Sequence, residues 1–392
     1  MPDIARILSA TGPLTLSSLA RGAQPLVMSD LARAAKTRAV FIAPDEAAMR
    51  NISEAASFFA PEIEVIEFPA WDCLPYDRAS PALPVSARRL AALHRLQAGP
   101  TERGGGSQLL VTTINAVLQR VLSPFRIRES VREFRAGIEV GHQSLAALLQ
   151  RQGYSRSDTV VDHGEFAMRG SIVDIFPSGL EHGLRLDFFG DEIESLRLFD
   201  PATQMTVGTL DQHLLLPASE ALLDDTSIKR FRSRYRELFG AAATQDPLYE
   251  AVSEGRRMAG MEHWLPLLED RLVTLFDHLA QEDVVVIDAG AIGAAEERFR
   301  DITDYHQSRE NTTGQAARSY RPLAQGELYL DPSELSQALA SHCVHKAVIF
   351  TEPESADVID FGFTSARDFA PERARGDNVY EAVAGHHKAL GK

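Results

Sequence analysis

A β-hairpin is predicted by the stretch Leu184-Arg185-Leu186-Asp187-Phe188-Phe189-Gly190-Asp191-Glu192-Ile193. Because strand side chains alternate between two faces, the three apolar residues at positions 184, 186 and 188 share a face, which must be the core. Gly190-Asp191 supplies a two-residue turn that sets Phe189 opposite Glu192. Phe189 therefore lies on the charged face beside Arg185, where an aromatic side chain gains little from folding. This pairing is favoured at interface hot spots, although another part of the same chain could cover Phe189 instead.

Strand and turn signals continue on either side of this hairpin. A strand is predicted at 171–176, and Arg169 lies just before it, where it could join the face of Arg185 and Phe189. Residues 157–216 consist of short strands and tight turns throughout. We therefore predict a separate small α+β domain at residues 126–216, inserted into the rest of the chain.

Alternating strands and helices flank this domain on both sides. Apolar strands are predicted at 39–43, 63–68, 109–113, 283–288 and 344–350. Helices are predicted from Asp45, at 85–96, from an Asn115 cap to residue 121, at 228–239 and at 261–279. This rhythm is typical of a largely parallel sheet covered by helices. We expect one α/β domain in two segments, 1–125 and 217–366, followed at 367–392 by a linker and the start of a further domain.

The composition is that of an ordinary globular protein. Of 392 residues, 44% are hydrophobic and 24% are charged, so a sizeable core can be buried. We find no run of about 20 apolar residues and no signal peptide, and we expect no membrane segment. Only Cys73 and Cys343 occur, which favours a reducing, cytoplasmic location and leaves a single disulfide open. The net charge of −15 weighs against a surface devoted to phosphate backbones; it suits a basic partner or simply solubility.

The sequence carries no complete catalytic or metal-binding motif. A phosphate-binding loop needs glycines, a lysine and a hydroxyl residue, yet G-x-x-x-x-G-K-[ST] is absent from the sequence. Arg21-Gly22-Ala23-Gln24 stands where that loop would precede a helix, but it lacks the second glycine, the lysine and the hydroxyl. His342-Cys343-Val344-His345 has no second Cys/His pair at zinc spacing. We therefore expect no catalytic residue, no metal, no cofactor and no ATP hydrolysis in this chain.

Several stretches resemble the UvrA-binding domain that the damage-recognition protein UvrB shares with the transcription-repair coupling factors. They are GEFAMRG at 164–170, VDIFP at 173–177, RLDFFGDEIE at 185–194 and FDP at 199–201. Two more stretches, FPAWDCLPYD at 68–77 and AGMEHWLPL at 259–267, resemble the coupling-factor family specifically. The resemblance covers about residues 20 to 390. Unlike UvrB, the chain lacks an intact phosphate-binding loop, and residues 78–84 are too few for UvrB's DNA-inserting hairpin.

The resemblance implies both a fold and a function. The fold would be a degenerate helicase-like α/β domain of the P-loop type, without a Walker A motif, in two segments around an inserted α+β UvrA-binding domain. By motif position, the two arginines and the aromatic residue with which the family contacts UvrA fall on Arg169, Arg185 and Phe189. The chain would be an adaptor for UvrA in nucleotide-excision repair, truncated before an RNA-polymerase-binding domain and a motor. ATP, Mg²⁺ and the contacts with RNA polymerase and double-stranded DNA would belong to those further domains of an ATP-dependent DNA translocase.

Two alternatives come from other functional classes. One is an active, UvrB-like ATPase that loads onto damaged DNA, against which the missing lysine and hydroxyl argue. The other is a DNA-binding module that uses the arginines of the 85–96 helix, namely Arg88, Arg89 and Arg95. Three arginines on one helix are more often a solvated face, so we predict that they face water.

Overall fold

The structure of the chain is a computed structural model that describes residues 2–97, 106–177, 179–240, 246–311, 321–364 and 367–390. Its strands are β1 Thr15–Ser17, β2 Arg38–Ala43, β3 Glu64–Phe68, β4 Gln108–Thr113, β5 Val121–Leu122, β6 Arg132–Arg135, β7 Ser155–Arg156, β8 Glu165–Arg169, β9 Ile172–Ile175, β10 Gly183–Phe189, β11 Glu192–Phe199, β12 Thr206–Leu210, β13 Gln212–Leu215, β14 Leu272–Val273, β15 Val284–Asp288, β16 Val344–Ala347 and β17 Val358–Asp360. Its α-helices are α1 Pro2–Leu8, α2 Gln24–Ala34, α3 Glu46–Phe59, α4 Leu83–Gln97, α5 Ile114–Val117, α6 Pro124–Ser130, α7 His142–Arg151, α8 Asp225–Phe239, α9 Pro247–Ser253, α10 Leu265–Leu268, α11 Gly290–Glu310, α12 Gln325–Leu328, α13 Pro332–Ala340, α14 Ala370–Ala374 and α15 Val379–Leu390, with 3-10 helices at Met261–Trp264 and Leu275–His278.

Seven parallel strands form one sheet, which with its covering helices we call the body. The strand order is β17-β1-β16-β15-β2-β4-β3. β1 to β4 precede the second large sheet in the chain and β15 to β17 follow it, so two segments of chain complete one sheet. The strands predicted at 39–43, 63–68, 109–113 and 283–288 are confirmed, whereas the one predicted at 344–350 ends at Ala347.

Helices cover both faces of the parallel sheet. All six residues of β2 are buried, as expected for a strand that has a hydrophobic layer on each side. Val40 and Ile42 pack into the layer that contains α4, α8 and α11. Phe41 packs into the opposite layer, with α2 and α3. α3 begins where the sequence predicted, because the Asp45 side chain accepts a hydrogen bond from the Ala48 amide at 2.8 Å.

Six strands form the second sheet, in the order β12-β11-β10-β9-β8-β7. We call this sheet, together with α7 and the β6–β13 ribbon, the insert. The hydrophobic core of the insert is a cluster of its own that includes Phe134, Leu145, Phe166 and Leu186. The insert begins and ends at one place, because Arg132 of β6 pairs with Leu215 of β13. The chain is thus mixed α/β with a parallel sheet; the predicted boundaries at 125 and 216 stay predictions, and the one at 366 lies outside the described residues.

The helix predicted from an Asn115 cap to residue 121 is wrong in both bounds. Thr113 is the capping residue, and its hydroxyl accepts from the Ala116 amide at 3.2 Å. α5 ends after four residues, and the chain continues into β5, which pairs with β14. Residues 114–122 include Asn115, Gln119 and Arg120 but are buried or half-buried throughout, so they have no solvent-exposed face and their periodicity carried no reliable helix signal.

The long amphipathic helix predicted at 261–279 is also wrong. The chain forms a 3-10 helix, the short α10, the strand β14 and a second 3-10 helix in succession. A capping box between Thr274 and Asp277 starts the last of these, so the helical pattern restarts instead of continuing. Residues 261–268 are buried on all sides, which removes the polar face that an amphipathic helix requires. Among the described residues no helix is long and apolar enough to cross a membrane.

Candidate functional site

The β10–β11 hairpin has the geometry that its sequence predicts. Leu184 and Leu186 are fully buried, whereas the side chain of Phe189 is 80% exposed. Phe189 pairs with Glu192 across the turn, as predicted, and Gly190 has a φ of +64°, which glycine adopts without strain. The pairing shifts between Asp187 and Phe188, so β11 carries one extra residue there. The sequence did not reveal this bulge.

The hairpin turn is fixed by a neighbouring loop of the insert. The amide of Val140 donates to the carbonyl of Asp191 at 2.7 Å, and the amide of Ile193 donates to the carbonyl of Ile138 at 2.9 Å. Gly137 completes the contact by donating to the carbonyl of Ile193 at 2.8 Å. Phe189 is therefore an exposed aromatic side chain on an anchored backbone, so little backbone entropy is lost when it binds a partner.

Charged residues line the solvent side of the second sheet, and together with Phe189 we call them the outer face. They are Arg169, Asp174, Arg185, Asp187 and Arg197. The Arg185 guanidinium forms a bidentate pair with Asp174, with 2.6 Å from Nε to Oδ1 and 2.9 Å from Nη2 to Oδ2. Nη2 of Arg169 lies 3.7 Å from Oδ2 of the same carboxylate. Asp174 is buried and thus ties β8, β9 and β10 together at the centre of the face.

Arg185 is held from below as well as from the side. Its guanidinium carbon lies 4.8 Å from the centre of the Phe199 ring. That ring lies over Gly183, where a Cβ atom would come within 2.2 Å of the ring, so only glycine fits at this position. The hydrogen bond to Asp174 raises the pKa of Arg185 above its usual value. The cation is therefore permanent and rigidly oriented.

The three predicted site residues meet on this face but are not equivalent. Arg169 lies just before β9, as predicted, and is itself the last residue of β8; about half of its side chain is exposed. Arg185 is only 15% exposed and already has an internal carboxylate partner. Phe189 is the most exposed of the three. Within the described residues, no other part of the chain covers Phe189.

Sequence reasoning missed Asp174 and Arg197 as parts of this face. Asp174 stands between Val173 and Ile175 on a strand whose apolar residues are buried, so strand alternation alone would have placed it outward. Arg197 lies in β11, the returning strand of the hairpin, where it pairs with Arg185. Which residues of β11 share the face of Arg185 depends on the pairing register, and the bulge shifts that register by one residue.

The arginines of α4 do not form a single solvated face. Arg89 is completely buried, and its Nε donates to Glu220 Oε1 at 2.6 Å. Only Arg88 and Arg95 reach water, and each lies near a carboxylate of β3, at 3.5 and 3.4 Å. The predicted solvent exposure of Arg89 is wrong, and the three arginines are not together available for phosphate contacts.

The position expected for a phosphate-binding loop is occupied by an internal contact. Gln24 begins α2, and its Nε2 donates to Oδ2 of Asp288, at the end of β15, at 3.1 Å. Both side chains are buried. Oδ1 of Asp288 accepts from the Gly290 amide at 2.8 Å. The carboxylate at this end of the sheet therefore has protein partners on both oxygens.

Both cysteines and several histidines lie in partly or fully buried positions. Cys73 and Cys343 are both free thiols. Burial, as the main cause, and the negative charge of Asp72, as the next, raise the pKa of Cys73 to about 12. Cys343 Sγ lies 4.0 Å from His345 Nε2. Across the residues that the structure describes, no group of three or more His, Cys, Asp or Glu side chains could hold a metal ion.

Comparison with known proteins assigns the insert to a class. Residues 133–220 match the family model described as the UvrB interaction domain, a range that contains the whole six-stranded sheet of the insert. The chain therefore carries a UvrB interaction domain.

Most of the chain also matches proteins of one particular kind. It is 33% identical to the transcription-repair-coupling factor of Haemophilus influenzae over 77% of this chain and 26% of that protein. It is 34% identical to that of Escherichia coli over 67% of this chain and 22% of the relative. It is 36% identical to that of Myxococcus xanthus over 61% of this chain and 20% of that protein. Over most of its own length the chain is thus homologous to the transcription-repair-coupling factors, and it spans between a fifth and about a quarter of the length of these curated relatives.

Proposed function

We propose that this chain is a non-catalytic adaptor that recruits UvrA in transcription-coupled nucleotide-excision repair. The observation that carries the proposal is Phe189, 80% exposed on an anchored turn inside a UvrB interaction domain. Exposed aromatic side chains beside arginines are enriched among the residues that dominate binding energy. Phe189 would fill an apolar pocket on UvrA, and the arginines of the outer face would meet its carboxylates.

Arg169 and Arg185 would contribute in different ways. Arg169 has an exposed side chain and only a distant internal carboxylate, so it can turn toward a partner without leaving a buried charge behind. Arg185 uses Nε and Nη2 for Asp174, and its Nη1 lies 3.4 Å from the carbonyl of Gln204. It would contact UvrA through the remaining donors while it keeps Asp174 neutralised.

The body would be a helicase-like domain of the P-loop type that has lost ATP turnover. The absent Walker A residues support this, as does the internal hydrogen bond from Gln24 to Asp288 at the position where nucleotide phosphates would lie. No cofactor is proposed for this chain. In the complete protein, ATP and Mg²⁺ would serve a DNA-translocating motor that displaces stalled RNA polymerase, and contacts with RNA polymerase and double-stranded DNA would be made by the domains beyond this chain.

The two alternatives have weaker support. A UvrB-like ATPase would need the phosphate-binding residues that are absent here. A DNA-binding module built on α4 would need three accessible arginines, but Arg89 is buried. We place the protein in the cytoplasm, where its proposed partner acts.

Titration calorimetry of the chain with purified UvrA, without nucleotide, tests the adaptor proposal. Phe189→Ala should weaken binding by about 10- to 100-fold, because it removes the aromatic side chain that would fill the pocket on UvrA. The substitution should leave folding unchanged, because the exposed ring contributes little to the stability of the chain. The melting temperature of the variant should match that of the unsubstituted chain. Phe58→Ala is a matched control, since Phe58 is 79% exposed on α3 of the body.

The outcomes separate the site from the function. Equal affinities for Phe189→Ala and the unsubstituted chain would mean that UvrA binds elsewhere. Failure of the folded, unsubstituted chain to bind UvrA at all would overturn the adaptor proposal itself. Arg185→Ala is a poorer first test than Phe189→Ala, because it would leave the buried Asp174 without its partner and so disturb folding as well as binding.

A further inference from the structure

Arg197 lies directly across from Arg185 on the adjacent strand of the outer face. The two residues are paired in the β10–β11 register, so their Cβ atoms are about 5 Å apart. About a third of the Arg197 side chain is exposed, twice the fraction for Arg185. Its Nε donates to Oδ2 of Asp187 at 2.6 Å, and Nη2 donates to Oδ1.

Two like charges placed opposite each other destabilise a sheet unless something balances them. Asp174 balances Arg185, and Asp187 balances Arg197. Burial on its own would raise the pKa of Asp187, but the hydrogen bonds from Arg197 and Ser195 outweigh it and lower that pKa. Asp187 is thus held ionised, and the hydrogen bonds that Arg197 donates to it raise the pKa of Arg197.

Asp174 and Asp187 lie deeper in the outer face than Arg169 and Arg197, while Arg185 is as buried as Asp187. The side chains of Asp174 and Asp187 are 3% and 16% exposed, while those of Arg169 and Arg197 are 52% and 35% exposed. Arg169, Arg185 and Arg197 form a row across the face, with Asp174 and Asp187 between them and the exposed Glu192 opposite Phe189. This is a local row of arginines on a protein whose net charge is −15. Such a row steers acidic groups and disfavours basic ones.

Asp187 leaves one edge of the Arg197 guanidinium free. The bidentate pair occupies Nε and one hydrogen of Nη2, and among the described residues Nη1 of Arg197 makes no hydrogen bond. The Nη1–Nη2 edge can therefore receive a second carboxylate in a bidentate manner. Because Asp187 and the Ser195 hydroxyl, 2.9 Å apart, already fix the fork, little side-chain entropy remains to be lost on binding.

We propose that Arg197 is a further contact residue of the UvrA-binding face, where it pairs with acidic side chains of UvrA, and that Asp187 is its positioning residue. This rests on the proposed function and extends its site from β8 and β10 onto β11. From β8 to β11 the arginine row spans three strand spacings, or about 14 Å. Acidic side chains spread over a similar distance would match it, beside the pocket for Phe189.

Calorimetry of the full chain with UvrA tests this proposal through Arg197→Gln, Arg197→Lys and Asp187→Asn. Arg197→Gln should weaken binding by about 5- to 30-fold, in the range for a charge pair at an interface. Arg197→Lys should keep only part of the binding affinity that Arg197→Gln loses, because an ammonium group cannot reproduce the planar guanidinium fork. Arg256→Gln is the control, since Arg256 is exposed in the body and pairs only with Glu254.

The positioning role of Asp187 has its own readout. If Asp187 acts through Arg197, the double variant Asp187→Asn/Arg197→Gln should bind no more weakly than Arg197→Gln alone. Fully additive losses would overturn the positioning role. Normal affinity of Arg197→Gln, with Phe189→Ala still impaired, would overturn the extended site and leave the adaptor function standing. Melting curves for each variant exclude unfolding as the cause, and the conservative Arg197→Lys remains informative if Arg197→Gln does not fold.

Discussion

At the scale of single residues, Arg89 shows how a surface-like sequence pattern can hide a core interaction. Its guanidinium makes two hydrogen bonds to Glu220 and one, at 2.8 Å, to the carbonyl of Pro69. It also lies 4.4 Å from the centre of the Phe68 ring, and Glu220 accepts from Trp71 Nε1 at 2.8 Å. The pair therefore joins α4 and the loop after β3 to the segment that follows the insert.

Removing one partner of this pair should be strongly destabilising. Arg89→Met leaves Glu220 as an uncompensated buried charge, and we expect it to lower the free energy of unfolding by about 3–5 kcal/mol. Arg88→Met is the control from the same helix, since its pair with Glu67 is half exposed, and it should cost under about 1 kcal/mol. Urea unfolding followed by circular dichroism measures both. Similar values for the two variants would show that Arg89 is not an essential part of the core.

Sequence alone could not have placed Arg89, and the reason is sequence distance. Its partner is 131 residues away, on the far side of the insert. Helical periodicity grouped Arg88, Arg89 and Arg95 by residue type, whereas burial is decided by which carboxylate the fold brings near. For the outer face the opposite holds: Arg185 and Phe189 were placed correctly, because strand alternation is a local property that needs no distant partner.

At the scale of elements, the strands and turns that were predicted correctly are those whose local sequence pattern follows directly from their burial or their turn type. The β10–β11 hairpin was predicted because alternation and a Gly-Asp turn agree. β2, β4 and β15 were predicted because parallel strands buried on both faces read as apolar runs. The elements between 261 and 279 were not predicted, because a segment buried on all sides has neither alternation nor a polar face.

The β6–β13 ribbon carries a titratable group that should make the stability of the insert depend on pH. Burial lowers the pKa of His213 to about 4, from 6.5 when exposed. Since the folded pKa lies below the unfolded one, the neutral ring favours folding above pH 6.5. That contribution is lost as the pH falls from 6.5 toward 4, and about 1.3 kcal/mol is gone at pH 5.5.

His213→Gln should therefore reduce the loss of stability between pH 7.5 and pH 5.5 by about 1.3 kcal/mol. Chemical denaturation at both pH values, followed by a probe in the insert, gives the two free energies of unfolding. His278 of the body has its pKa lowered to about 4, mainly by burial, and His278→Gln should produce the same flattening for the body. An unchanged pH dependence in His213→Gln would mean that the ring is accessible to solvent in the folded insert.

At the scale of the whole molecule, the insert and the body are connected in a way that favours independent folding of the insert. Arg132 pairs with Leu215, so the two chain crossings lie side by side. The insert also has its own hydrophobic core. Contacts across the junction exist: Gln152 Nε2 donates to the carbonyl of Ser130 at 2.7 Å, and a Cβ on Gly164 would lie 3.0 Å from Leu83 of the body. Further contacts are the hydrogen bond from the Leu223 amide to the carbonyl of Arg151 at 3.1 Å and the ion pair of Arg151 with Asp225 at 3.7 Å.

We therefore expect a fragment of residues 131–220 to fold cooperatively and to bind UvrA within about threefold of the full chain, because every residue of the outer face lies inside it. Its melting temperature should be lower than that of the insert in the full chain, since the contacts of Gln152 and Gly164 with the body are lost. The reciprocal variant, in which a short Gly/Ser linker joins residue 131 to residue 216, should keep a folded body but bind no UvrA. Calorimetry with both proteins, beside Phe189→Ala in the fragment, measures these affinities. If the folded fragment binds UvrA more than tenfold more weakly than the full chain, part of the UvrA contact lies on the body. If the linker variant, which lacks the insert, binds UvrA as tightly as the full chain, the whole contact lies on the body.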